Sequence, residues 1–450
     1  MPNYKKLAKS YEKNAILALQ KFIRIPSVYD ASSAKEGQPY GANVKKALDY
    51  FASLGESYGF QVDKCDGYAT ELSLGESGPL IGIYGHSDVV PATGSWTNPP
   101  FSATIKDGVI YGRGACDDKG PLLAAFFAVK LLKDNGLLNG FRVKIVSGGD
   151  EERGSSCLRY YFEKHHGEEP KFGFTPDANW PLIYAEKGIT NGFLTKEITL
   201  GPIIAMDGGV VKNAVCDSLL VTLPPDDRFV AYLKEKKIDC DINVSPVLLT
   251  VRFKGKTAHG STPELGVNAA KIAFASLGEF YHLDFLAKLT RIFDPHGVSF
   301  DGNIVSPELG EVTYNYGIVR YDGKTLRISL DMRYGEKAEP QKLLENLQKA
   351  AGMTFEVSSV TPYLLYDRSS PLVATLMKAY KQETLQLFAK PLAIGGGTYA
   401  KEAKNTVAFG AEWPKHPGNM HSPDEYIYID DFVKDIAIYA RAIYLLGKAA

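Results

Sequence analysis

Three apolar segments in the first 180 residues each stop in a run of histidine or acidic side chains, and helix-patterned segments separate them. Residues 79–91 read PLIGIYGHSDVVP, 141–155 read FRVKIVSGGDEERGS and 172–179 read FGFTPDAN. Between them lie KGPLLAAFFAVKLLKDNG (119–136), patterned as a buried helix with Gly136 at its C-cap, and SSCLRYYFEKHH (155–166). Strand and helix alternating in this way build an α/β layer with parallel strands. Such sheets bind ligands beyond the carboxyl ends of their strands. His86, Asp88, Glu151, Glu152 and Asp177 all fall at such ends. The stretch 101–118 adds an Asp-Gly hairpin signal and then a glycine-rich turn that delivers Asp117 and Asp118.

The remainder of the chain divides by pattern. Residues 14–23 and 43–53 carry helical spacing, with Gly55 and Gly59 punctuating the end of the second helix. From 185 to 367 extended segments (218–223, 247–255, 325–335) alternate with helices such as 266–281, which predicts an α+β unit with an antiparallel sheet. After 371 the earlier style returns, with a helix, the turn AIGGGTYA (393–400) and a final helix. The reading is one α/β domain made of 1–184 and 368–450, with a mixed, largely parallel sheet. An α+β insertion, 185–367, interrupts it and is long enough for two subdomains.

Lys plus Arg number 51 and Asp plus Glu 52, a formal net charge of −1, which excludes a dedicated nucleic-acid binder. The longest apolar run, 121–129, is too short to cross a bilayer. Five scattered cysteines without a C-x-x-C pair give neither a disulfide framework nor a zinc ribbon. The N-terminal MPNYKKLAKSYEKNA is polar and helical, unlike a signal peptide, so the expected compartment is the cytoplasm, with no membrane association.

Taken singly, the polar ends have plain structural readings. His86-Ser-Asp88 is a satisfied histidine with a neighbour, the acids at 117–118 and 150–152 are solvated loops, and Asp177 is an Asx turn. Together they place one histidine and three carboxylate clusters at one sheet edge, and His421 in NMHSPDEYI adds a second imidazole. Histidine and carboxylate ligands suit zinc, manganese or cobalt, and a shared carboxylate gives the two-metal clamp of hydrolases. Two divalent ions against Asp117, Glu152 and Asp177 leave a residual +1, which favours bound hydroxide over water. Glu151 is then surplus to ligation and is the natural general base. An aspartate two residues beyond His86 is placed to orient its ring.

The order of the strings GHSDVVP (85–91), GRGACDDKGP (112–121), DEERGS (150–155), FTPDANWP (174–181), AEKG (185–188), AHGSTPELGVNAA (258–270), DMRYG (331–335), GGGTYAKE (395–402) and HSPDEY (421–426) resembles the M20 metallopeptidases, and among them the PepV-like dipeptidases. The resemblance implies a zinc-peptidase-like catalytic domain carrying an inserted lid. It implies two zinc ions: His86 and Asp177 on one, Glu152 and His421 on the other, and Asp117 bridging them. Asp88 orients His86, Glu151 is the base, and the Asp117–Asp118 peptide bond is cis. His259 stabilises the oxyanion, Asn213 faces the substrate, and Arg333 clamps its free carboxylate with help from backbone N–H groups of Gly396, Gly397 and Thr398. The implied protein is a monomeric dipeptidase that takes a small peptide between catalytic domain and lid. Manganese or cobalt are alternative activators. An N-acyl-amino-acid deacylase of the same family shares every metal residue, and a non-catalytic peptide-binding protein is the reading from another class.

Overall fold

In the computed structural model, which describes residues 2–450, the segment patterned as a buried helix forms one over Lys119–Asp134. Every residue from Lys119 to Val129 is buried. This helix packs on the helices Tyr4–Ile23 and Ile429–Ala449 and on strand Leu80–His86. A helix apolar all round is stable only when enclosed in this way. It ends at Asn135, and Gly136 follows with φ +65°, the left-handed turn that glycine adopts without steric cost. Gly59 likewise follows helix Ala42–Ser57 with φ +73°. Gly55 does not end that helix. It lies inside it, buried against Leu72, where a larger side chain has no room.

The described chain forms two compact units. The first runs to Tyr184 and resumes over Tyr366–Leu392 and Gly397–Ala450. Its sheet runs in the order Gln61–Asp63, Ala69–Leu74, Arg142–Gly148, Leu80–His86, Phe172–Thr175, Thr406–Ala408. The last four are mutually parallel, the first two pair antiparallel, and Ile183 pairs antiparallel with Ala408, so the sheet is mixed, as the sequence predicts, with its parallel strands at the centre. The Asp-Gly signal is a hairpin, with Thr104–Lys106 antiparallel to Val109–Tyr111 around Asp107 and Gly108.

The second unit comprises Ala185–Leu365 with Ala393–Gly396. Ile394 joins it through the hydrogen bond from Lys187 N–H to the Ile394 carbonyl, 3.0 Å. Its antiparallel sheet orders Cys240–Val244, Leu249–Lys254, Ser218–Leu223, Ala205–Gly208, Val319–Tyr321, Thr325–Tyr334, Gly188–Glu197 and Thr354–Thr361. Strand Thr313–Asn315 also pairs with Thr325–Tyr334. Helix Ala269–Phe280 covers the apolar face, together with Leu219, Val221, Phe253, Leu330 and Met332. Among the described residues, no helix is long and apolar enough to cross a membrane.

Phe126 meets Phe51, Tyr58, Phe60 and Phe127 in one aromatic cluster of the first unit. All three tryptophans, Trp96, Trp180 and Trp413, lie in that unit, so tryptophan fluorescence isolates its unfolding. Phe126→Ala is expected to destabilise it by about 3–5 kcal/mol, read as a lower denaturation midpoint in urea monitored by that fluorescence.

Candidate metal centre

His86 is the last residue of strand Leu80–His86 and is fully enclosed. Its Nδ1 donates to the Asp88 carbonyl at 3.0 Å, which turns Nε2 toward the acids. Nε2 lies 3.0 Å from Asp117 Oδ1 and 3.5 Å from Asp177 Oδ2. The other Asp117 oxygen, Oδ2, lies 2.8 Å from His421 Nε2, and that nitrogen is 3.0 Å from Glu152 Oε2. One carboxylate therefore spans two imidazoles, and each imidazole has a further acid of its own. Asp177 follows strand Phe172–Thr175, and Glu151 and Glu152 follow Arg142–Gly148, so with His86 three parallel strands deliver their donor side chains to one end. The Asp117–Asp118 bond is cis.

The aspartate expected to orient His86 does so differently. Its carbonyl holds the ring, while its carboxylate, 3.4 Å from Nδ1, accepts the backbone N–H groups of Glu151 at 3.1 Å and Glu152 at 3.2 Å. Asp88 thus fixes the imidazole and the acidic turn at once. Its backbone carbonyl takes the imidazole proton because the chain has left the strand at Ser87, where period-two geometry no longer aims the side chain.

Charge in the cluster is unbalanced. Burial disfavours the Asp117 carboxylate, but His421 and His86 pull its pKa below the usual carboxylate range. For Glu151, burial with Asp177, Glu152 and Asp117 nearby pushes the pKa well up. Glu152 rises to about 7, from burial and then the Asp117 charge. Asp177 rises for the same two reasons. Burial lowers the basicity of His86, and its three carboxylate neighbours overcome that and raise it. His421 is raised to about 11 by Asp117 and Glu152. Glu152 Oε1 is buried with no hydrogen-bond partner. Donor atoms of His86, Asp117 and Glu152 lie within 4.8 Å of one another, as do those of His86, Glu151 and Asp177. An acid-rich set, buried except at the exposed His421 and carrying an orphaned carboxylate oxygen, fits divalent cations held by nitrogen and oxygen donors.

The remaining sequence candidates fall elsewhere. Asn213, His259, Arg333 and Gly396 belong to the second unit, and Gly397 and Thr398 to the first. The Thr398 hydroxyl accepts the Ala400 N–H at 3.1 Å. Within the second unit the Asn213 and His259 loops are joined, Gly260 N–H donating to the Asn213 carbonyl at 2.7 Å and Ala214 bridging to His259.

Two acids to which sequence reasoning assigned no role, Glu425 and Asp118, hold the backbone of the bridging loop and of His86. Glu425 Oε1 accepts the N–H groups of Gly114 (3.0 Å), Cys116 (3.0 Å) and Asp117 (3.3 Å). Its Oε2 pairs with Arg113 Nη1 at 2.6 Å, both side chains enclosed. Asp118 Oδ2 accepts the His86 N–H at 3.0 Å. The signal lay in HSPDEY and GRGACDD, where Glu425 follows His421 by four residues and Asp118 adjoins Asp117. Glu425→Gln leaves Arg113 buried without its counter-charge. Stability is expected to fall by about 3–5 kcal/mol and divalent-metal affinity by about 10–100-fold, read by denaturant titration and by competition with a chelating dye.

Residues 82–445 match the sequence profile of "Peptidase family M20/M25/M40". The chain is 35% identical to the "Putative dipeptidase YtjP" of Bacillus subtilis (strain 168), over 97% of this chain and 98% of that one. It is 32% identical to the "Putative dipeptidase SH1171" of Staphylococcus haemolyticus (strain JCSC1435), over 98% and 99%. The fold matches the yeast di-peptidase Dug1p from Saccharomyces cerevisiae with a TM-score of 0.60 at 15% identity, over 99% and 98% of the two chains. It matches human carnosine dipeptidase 1 with a TM-score of 0.58 at 14% identity, over 100% and 99%. Strands ending in metal-type donors, one carboxylate between two imidazoles and a profile match spanning most of the sequence agree: the chain belongs to the M20/M25/M40 family of peptidases.

Proposed function

We propose that the chain is a dizinc dipeptidase. The observation that carries this reading is the Asp117 carboxylate, whose oxygens reach His86 at 3.0 Å and His421 at 2.8 Å. His86, Asp177 and Asp117 would hold one zinc ion, and His421, Glu152 and Asp117 the other, with manganese or cobalt suited to the same donors. Bound there, two divalent ions polarise the scissile carbonyl and lower the pKa of water.

Glu151 is the general base. It takes a proton from the attacking water as the water oxygen bonds to the carbonyl carbon. It then gives that proton to the departing nitrogen as the C–N bond breaks, and the second water proton passes from the new carboxylic acid to the amine, leaving a carboxylate and an ammonium group. Its burial, with Asp177 and Glu152 alongside, raises its pKa in the direction a proton carrier at neutral pH requires. Asp88 keeps the His86 Nε2 lone pair directed at the site. In the second unit, Arg333 spends Nε and Nη2 on Asp331 and one Nη1 proton on the Gly395 carbonyl. A guanidinium carries five N–H groups, so one remains on each Nη for a substrate carboxylate. His259 and Asn213 contact the reacting amide, and the backbone N–H groups of Gly396, Gly397 and Thr398 assist the carboxylate anchor. We further assign a monomer acting on small peptides in the cytoplasm, without nucleic-acid or membrane partners.

Glu151→Gln is expected to lower kcat on a free dipeptide by about 10²–10⁴-fold while metal content, measured by elemental analysis, is unchanged. Chelation is expected to abolish hydrolysis, and zinc, manganese or cobalt to restore it. A protein inert with all three ions would sink the enzyme reading. Arg333→Ala is expected to raise KM for a free dipeptide and to erase its advantage over the C-terminal amide. Faster cleavage of the N-acetylated dipeptide than of the free one would make the chain a deacylase instead.

A further inference from the structure

On strand Thr325–Tyr334 alternate residues serve two different faces. Leu326, Ile328, Leu330, Met332 and Tyr334 enter the second unit's core. Asp331 and Arg333 point to the other face, because side chains alternate along a strand. Directly cross-strand residues share a face, and here Asn315 stands opposite Asp331 while Thr313 stands opposite Arg333. The result is a polar stripe that is nevertheless enclosed: Asn315 and Asp331 are each 1% exposed and Arg333 4%.

Each member of the Asn315–Asp331 pair holds something beyond the sheet. Asn315 Nδ2 donates to the carbonyls of Lys212 at 2.6 Å and Ala214 at 3.0 Å, the residues on either side of Asn213. The Asn213 loop in turn holds the His259 loop, through Gly260 N–H to the Asn213 carbonyl and Val215 N–H to the Ala258 carbonyl, 2.9 Å. Asp331 takes Arg333 Nε at 3.1 Å and Nη2 at 3.0 Å, a two-point grip that fixes the guanidinium plane. Gly260 sits against the same carboxylate. A Cβ there would lie 2.9 Å from Asp331 Oδ2 and 3.0 Å from the Asn213 carbonyl, so the loop approaches as closely as glycine allows.

We propose that Asn315 and Asp331 are positioning residues that set Asn213, His259 and Arg333 as one rigid group for substrate. The inference rests on the dipeptidase reading of those three residues. The chemistry requires these side chains as they are. The Asn315 amide gives both Nδ2 protons to the two loop carbonyls, which a carboxylate at that position could not do. Aspartate at 315 would turn donors into acceptors and set two like charges across the strand pair.

The test uses the metal-loaded, full-length protein and compares Asn315→Asp and Asp331→Asn with Arg333→Ala. Val244→Thr, on the exposed edge strand Cys240–Val244, is the control. Asp331→Asn is expected to raise KM for a free dipeptide about tenfold or more with kcat little changed, the loss of an interaction made equally in ground and transition states. Its preference for the free dipeptide over the C-terminal amide is expected to fall toward that of Arg333→Ala. Asn315→Asp is expected to lower kcat as well, because it displaces the His259 loop. Should it fail to fold, Asn315→Ser, which keeps one donor, is expected to give an intermediate loss. A purely structural role would lower thermal stability but leave kcat, KM and the amide discrimination per metal-loaded site at wild-type values, and that result overturns the proposal. If Arg333→Ala itself leaves the amide discrimination intact, the anchor reading fails, and this inference with it.

Discussion

The two oxygens of one carboxylate, Asp117, face two imidazoles, and the rest of the first unit is arranged around that sharing. A bridging acid must be held by its backbone, because both of its oxygens are committed. Glu425 does this by gathering the N–H groups of Gly114, Cys116 and Asp117, and Arg113 pairs with it in an enclosed position. The same glutamate lies four residues after His421, so the loop carrying the bridge and the segment carrying the second histidine are tied together. On the other side Asp118 fixes the backbone of His86, and Asp88 fixes both its ring and the Glu151–Glu152 turn. Three acids thus bind backbone N–H groups at the rim of the site and are not themselves among the candidate metal ligands. Such partners orient ligands and tune them as strongly as the ligands bind.

The second unit solves a different problem with the same device. A strand that is apolar on one face and buried on both would normally be apolar on both. Asp331 and Arg333 break that rule by pairing with each other at two points, and Asn315 donates to two loop carbonyls beside them. Removing one partner from an enclosed pair costs more than the pair contributes. The arrangement therefore tolerates little variation at these positions and holds two loops and one cation in register.

What is legible in the sequence is whatever local periodicity encodes. The buried helix at Lys119–Asp134, the strands Leu80–His86, Arg142–Gly148 and Ser218–Leu223 and the hairpin at Asp107-Gly108 announce themselves by apolar pattern and turn chemistry. The acids at the strand ends are legible because a parallel sheet sends consecutive carboxyl ends to one edge. Glu425 is not, because its partners at 113–117 lie some 310 residues away along the chain. No local pattern registers a contact of that separation. Asp118 is obscured by its neighbour: two adjacent acids look equivalent in a sequence, and only the backbone turns one toward His421 and the other toward the His86 amide. The Asn315–Asp331 pair is hidden for a third reason. Strand pairing across β-sheets is set by register, and a residue's cross-strand partner cannot be read from its own segment.

The net charge of −1 conceals how unevenly charge is distributed. Glu151, Glu152, Asp177 and Asp118 share one enclosed end of the sheet, and burial raises the pKa of each. Assembling them without a cation works against folding, since each must either stay protonated or repel its neighbours. A ligand that binds only the folded chain stabilises it by RT times the natural logarithm of one plus the ratio of its free concentration to Kd. Divalent cations would relieve the repulsion while leaving the backbone bonds of Asp88, Asp118 and Glu425 in place, because those bonds do not use the Asp117, Asp177 and Glu152 oxygens that face the imidazole Nε2 atoms. The scaffold is therefore preorganised by hydrogen bonds to amides, and its acidic interior supplies the electrostatic drive for metal uptake. The separation of the two tasks, geometry from the backbone-binding acids and affinity from the clustered ones, is what lets so many carboxylates coexist at one sheet edge.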